Sequence, residues 1–65
     1  MKKSPMLIKR CLANRTQLER IKVGDLIADE FGKYGKVNNI EKVHYKKELH
    51  YYFYLDKSGT IFFIT

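Results

Sequence analysis

Cys11, His44 and His50 are the side chains of this 65-residue chain that could bring thiol or imidazole chemistry to a site. A structural zinc site wants four ligands at close spacing. Neither a His-x-x-x-His nor a Cys-x-x-Cys step occurs, so the spacing points away from a metal centre. Cys11 could work as a nucleophile only if folding brought a histidine to it, and nothing in the pattern marks an oxyanion hole. Asp25, Asp29 and Glu30 form an acidic cluster that could hold a divalent ion or move protons, although a single short acidic turn is ordinarily solvated. Gly32 and Gly35 lack the Gly-x-x-x-x-Gly-Lys-Ser/Thr spacing of a phosphate-binding loop and read as turn glycines. A chain this short also has little room for an enclosed substrate pocket. The residues therefore predict a protein that is not an enzyme, with no metal and no cofactor.

Aromatic and basic residues carry the stronger chemical signal. His50, Tyr52 and Tyr54 alternate with the apolar Leu49, Tyr51 and Phe53, so they should share the opposite face of one strand. Lys33, Tyr34, Lys36, Lys42, Tyr45, Lys46 and Lys47 lie on neighbouring turns and strands. Aromatic rings offer stacking platforms to bases, and lysines meet phosphates. The net charge of +6 is unevenly placed: residues 1–22 hold seven cations, Lys9, Arg10, Arg15 and Arg20 among them, against Glu19 alone. From residue 23 onward, cations and carboxylates balance. Such asymmetry favours a polyanionic or acidic partner at the N-terminal region. The competing reading packs the tyrosines against the N-terminal segment or a second copy of the chain, so a homodimer is an open alternative.

These side chains need short elements to position them. Residues 1–5 read as a basic tail and residues 6–65 as one domain. Residues 6–12 fit either a strand, with Met6, Ile8 and Leu12 on one face, or a helix opened by Ser4-Pro5; Asn14-Arg15-Thr16 argues against a continuing helix and favours the strand. Thr16 and Glu19 match a capping box, which predicts at most one helical turn near residues 17–20. Lys22–Asp25 leads into a strand through Leu26-Ile27-Ala28. The apolar spacing of three at Val37, Ile40 and Val43 is wrong for a straight strand and predicts a bulge near Asn38-Asn39. Leu49–Leu55 is the clearest strand, Asp56–Gly59 a hairpin turn with Gly59 left-handed, and Thr60–Thr65 the returning strand. Val23, Ile27, Val37 and Ile40 are expected in the core. About five short strands in so small a chain hide their edges best by closing, which predicts an all-β, five-stranded SH3-like barrel. An OB-fold, which needs more chain and a longer helix, is the alternative.

The stretch Val23-Gly24-Asp25-Leu26-Ile27, then Gly32, then Gly35-Lys36-Val37 and Ile40, resembles the KOW motif of SH3-like barrels in ribosomal proteins and transcription elongation factors. It covers roughly residues 22–43. The later pattern of Tyr51–Leu55, Asp56, Gly59 and the closing strand is similar to a group of very small SH3-like proteins of bacteria and their phages. The resemblance implies a small barrel with a binding role. The neutral charge of the barrel portion departs from a ribosomal or elongation KOW unit. The expected function is a binding module that contacts nucleic acid, or a nucleoprotein such as a ribosome or RNA polymerase, through Lys9, Arg10, Arg15, Arg20, Lys33, Tyr34, Lys36, Lys42, His50, Tyr52 and Tyr54. The alternative is a protein-binding module, encoded by a phage or mobile element, that docks on a host enzyme. Without a secretory leader or an apolar run near the ~20 residues of a membrane span, the expected location is cytoplasmic, away from membranes.

Overall fold

The structure, a computed structural model, describes residues 5–57 and 59–65. Most of the expected tail and Ser58 of the hairpin turn lie outside the described residues. The fold is all-β. Its strands are β1 (Met6–Ile8), β2 (Leu26–Asp29), β3 (Tyr34–Tyr45), β4 (Glu48–Leu55) and β5 (Thr60–Ile64), and one short helix, α1 (Arg15–Glu19), lies between β1 and β2. The strands form one five-stranded sheet in sequence order. β1 and β2 are parallel, and every other neighbouring pair is antiparallel.

β3 makes this sheet bend around a core. Its first residues pair with β2 and its remainder with β4, and the register shifts between Val37 and Asn39. That bulge falls where the three-residue apolar spacing predicts it. One extra residue there turns Val37 inward to the core while Ile40 packs half-buried against it. β4 alternates without a fault: Leu49, Tyr51, Phe53 and Leu55 are buried, and the residues between them are not. Ile61 and Phe63 of β5 meet them on the same face. Each fully buried side chain of this size contributes about 1.5–3 kcal/mol, the main favourable term for so short a chain.

The ends of the chain differ from expectation. β1 stops at Ile8, and residues 10–12 form a turn, so Leu12 is 69% exposed rather than sharing a buried strand face. α1 is capped by Asn14, whose side chain accepts a hydrogen bond from the Gln17 backbone N–H (2.9 Å), so Thr16 is not the cap. Glu19 is thereby released from a capping role and reaches across to Lys42 and Tyr51. Val23 is 62% exposed, because Lys22–Asp25 forms a tight turn that carries it outside; Ile21 enters the core instead. Gly59 is left-handed (φ 86°), as the hairpin requires. Gly35 is a strand residue and not a turn glycine: a Cβ there would stand 3.3 Å from the Leu55 Cβ, so its role is close approach of β3 to the end of β4.

Candidate functional site

Register decides which side chains share the outer face of the β3–β4–β5 sheet. Directly paired residues lie on one face. Tyr52 pairs with Glu41 and Phe62, His50 with Val43 and Ile64, Tyr54 with Asn39 and Thr60, and Glu48 with Tyr45. All of these look away from the core. The rings form a continuous ladder: Tyr45 to His50 at 5.8 Å, His50 to Phe62 at 5.5 Å, Phe62 to Tyr52 at 4.7 Å and Tyr52 to Tyr54 at 6.5 Å. Tyr45 stands outermost at 55% exposure, while the other four rings are half-buried against one another. The expected projection of His50, Tyr52 and Tyr54 from one face is what the structure has. Phe62 was missing from the expected site. Its signal was the Ile-Phe-Phe-Ile run, in which one aromatic had to face outward whichever way the strand turned.

The β3–β4 turn adds charge to one end of this face. Lys46 adopts a left-handed backbone (φ 56°), a conformation that favours Gly or Asn and costs a lysine about 1 kcal/mol or more. Its ammonium lies 5.7 Å from the Tyr45 ring centroid. Arg15 joins this end from α1, donating to the Lys47 carbonyl and the Thr65 hydroxyl. At the other end Lys33 donates from its Nζ to the Thr60 carbonyl at 3.2 Å. Among the described residues, Arg15, Lys33, Lys46 and Lys47 make no ion pair. Two carboxylates share the face: Glu48 meets His50, and Glu41 accepts from the Tyr54 hydroxyl (2.6 Å), which raises the Tyr54 pKa above its ordinary value.

The remaining expected contacts are scattered or occupied. Arg10 is not a free surface cation. Its Nη1 meets Asp29 at 3.3 Å and Glu30 at 2.9 Å, its Nε donates to the Phe62 carbonyl, and its guanidinium lies between the Phe31 and Phe63 rings. Lys42 is likewise committed to Glu19 and to the Tyr51 ring, because its strand position opposite Tyr51 faces away from the ladder. Tyr34 and Lys36 lie on the outer side of the other half of the sheet, in an open groove with Leu26, Asp56 and Lys57. Arg20 closes α1 beside a groove formed with Met6 and Leu12, and Lys9 is exposed after β1. Among the described residues no group of three or more His, Cys, Asp and Glu side chains gathers, and no helix is long and apolar enough to cross a membrane.

Glu19 and Tyr51 couple α1 to the sheet. The Tyr51 ring is buried while its hydroxyl donates to Glu19 at 2.7 Å. Burial first, and the Glu19 carboxylate second, push the phenol up to about 12. Hydrogen bonds from Lys42 and then Tyr51 hold Glu19 below its ordinary value. A raised phenol penalises the folded state wherever the unfolded chain would release that proton. Its contribution is intact below about pH 10 and declines as pH rises toward 12. The loss expected is about 1–2 kcal/mol, discounted for the solvent that reaches Glu19. Urea midpoints followed by circular dichroism across this window should fall for the wild type and fall less for Tyr51→Phe; equal declines would show that the phenol is not responsible.

Compared with family models, curated proteins and solved structures, the chain matches none.

Proposed function

We propose that this chain is a small, non-catalytic binding module of SH3-like form. It takes nucleic acid, free or within a nucleoprotein assembly such as a ribosome or RNA polymerase, against the outer face of β3–β5. The observation that carries this reading is the ladder Tyr45–His50–Phe62–Tyr52–Tyr54, flanked by Arg15, Lys33, Lys46 and Lys47, which make no ion pair among the described residues. Bases stack on such rings while ammonium and guanidinium groups meet the phosphates. Lys46 supports the same reading, since a strained lysine holds charge beside the most exposed ring of the ladder at a turn where glycine would be more stable. The SH3-like assignment draws support from the five strands, the left-handed Gly24 before β2 and the bulge after Val37.

Fluorescence anisotropy with labelled mixed-sequence RNA and DNA tests this function. Affinity is expected to fall linearly on a log–log plot against salt, with a slope of about −2 to −4 for three to five phosphate contacts. Absence of binding at low salt would refute it.

Val43 and Ile64 favour a second reading. They leave two exposed aliphatic side chains, one on each side of His50, on the face that also carries Glu41 and Glu48, which suits a protein surface better than a polyanion. In that reading the chain, carried by a phage or mobile element, docks on a host enzyme and modulates it. Tagged protein should then retain one dominant protein from nuclease-treated lysate, and Ile64→Glu should abolish that retention. Retention that disappears with nuclease treatment returns the choice to nucleic acid.

A further inference from the structure

The outer edge of β5 narrows the ligand class and orients it. Leu49 and Thr65 exchange backbone hydrogen bonds in both directions, at 2.9 and 3.0 Å. In an antiparallel pair such reciprocal bonds recur at every second residue. Tyr51–Phe63 and Phe53–Ile61 therefore face each other in the same way, and Thr60, Phe62 and Ile64 turn their backbone groups away from β4. β5 is the last strand of the sheet, so these groups form its outer edge. Two cations reach that edge from elements far away in sequence, Lys33 at the Thr60 carbonyl and Arg10 at the Phe62 carbonyl, and a third, Arg15, meets the Thr65 hydroxyl at the end of the strand. They are distributed along the whole strand, about 17 Å at ~3.4 Å per residue. Arg10 is paired there with Asp29 and Glu30, whereas among the described residues Lys33 and Arg15 make no ion pair.

We infer that the ligand is a single-stranded nucleic acid. Its sugar–phosphate backbone follows the β5 edge past Lys33 and Arg15, and its bases lie inward over Phe62, Tyr52 and His50; this rests on the nucleic-acid reading above. The geometry has one consequence for ligand form. Rings that stand on a sheet between two cations can be used only by bases that are free to leave a helix stack, and a duplex presents none. The cations also serve the free protein. By capping two outward carbonyls they discourage a second strand from adding to the uncharged Thr60–Thr65 segment.

The test uses labelled oligonucleotides of about eight residues, single-stranded and as the matching duplex. It compares the wild-type chain with Lys33→Gln, Arg15→Gln and two control variants, Lys22→Gln and Lys57→Gln. Glutamine keeps a donor for the β5 partner and removes the charge, and circular dichroism checks that each variant folds. Single strands are expected to bind at least about tenfold more tightly than duplex. Lys33→Gln and Arg15→Gln should each weaken binding about 3- to 10-fold and reduce the salt slope by about 0.7, the increment of one phosphate on a single strand. The controls should match wild type. Equal or tighter duplex binding overturns the inference. Equal losses in controls and edge variants overturn the β5 track while leaving nucleic-acid binding in place. No binding of either form overturns the parent reading and this one with it.

Discussion

Asp29→Ala is expected to lower stability by about 3–4 kcal/mol, enough to leave a domain of this size largely unfolded at physiological temperature. The carboxylate is 4% exposed and joins three separate parts of the structure. Its Oδ1 accepts the backbone N–H of Phe31 at 3.0 Å and of Lys33 at 2.9 Å, which shapes the β2–β3 turn. Its Oδ2 meets the Arg10 guanidinium. Arg10 in turn donates to the Phe62 carbonyl, so the turn after β1, the turn after β2 and strand β5 are tied at one point. Arg10→Ala is expected to cost less, about 2–3 kcal/mol, because that side chain is 36% exposed and its charge is partly solvated. Arg10→Lys should recover only part of the loss: an ammonium cannot bridge two carboxylates and a carbonyl in one plane while lying between two rings. The double variant should lose less than the sum of the singles. Denaturant titrations give all four values, and additive losses would show that Arg10 and Asp29 act independently.

Acid supplies a second check on the same node. Burial alone would raise the Asp29 pKa. The two backbone hydrogen bonds, from Lys33 and Phe31, and then Arg10 outweigh it, so the carboxyl is held below its ordinary value. A depressed carboxyl stabilises the fold above the unfolded-state pKa of about 3.9, and that contribution is lost as pH falls through the folded value. Wild type should therefore lose stability below about pH 4 more steeply than Asp29→Asn does.

What could be read in the sequence, and what could not, follows from range. The β4 alternation, the bulge after Val37 and the left-handed Gly59 are set by residues within one strand or turn of each other, and they fall where expected. Arg10 looked like a free cation because its partners are 19, 20 and 52 residues away, and nothing local announces them. Lys42 misled for the same reason, since its partner lies on α1. Thr16 and Glu19 have the spacing of a capping box, but Asn14 opens the helix earlier and Tyr51 and Lys42 compete for the carboxylate. The outer face was half legible. Period-two alternation placed His50, Tyr52 and Tyr54 together, whereas the contribution of Phe62 depended on the pairing register of β5. Val23 reads as apolar and therefore core; the turn geometry at Gly24 puts it outside.

Tyr45→Ala is expected to weaken nucleic-acid binding about 5- to 100-fold with little change in stability. Tyr45 is the most exposed ring of the ladder at 55%, and its contacts are the His50 ring and the Lys46 ammonium, both themselves at the surface or half-buried. Tyr52→Ala should weaken binding too, but it also removes packing against Phe62 at 4.7 Å and Tyr54, so a loss there mixes recognition with folding. Position 45 avoids that confusion. Tyr45→Phe keeps the stacking surface and should bind as wild type does. Tyr45→Leu keeps apolar area but has no π face, and should behave like the alanine variant if bases stack there. If the face instead meets a protein, leucine should retain most of the affinity, because aliphatic area then substitutes for the ring. Affinities of the three variants for a single-stranded oligonucleotide, each set beside its own denaturation midpoint, separate stacking from simple burial: leucine with alanine places bases on the ladder, and leucine with phenylalanine removes them from it.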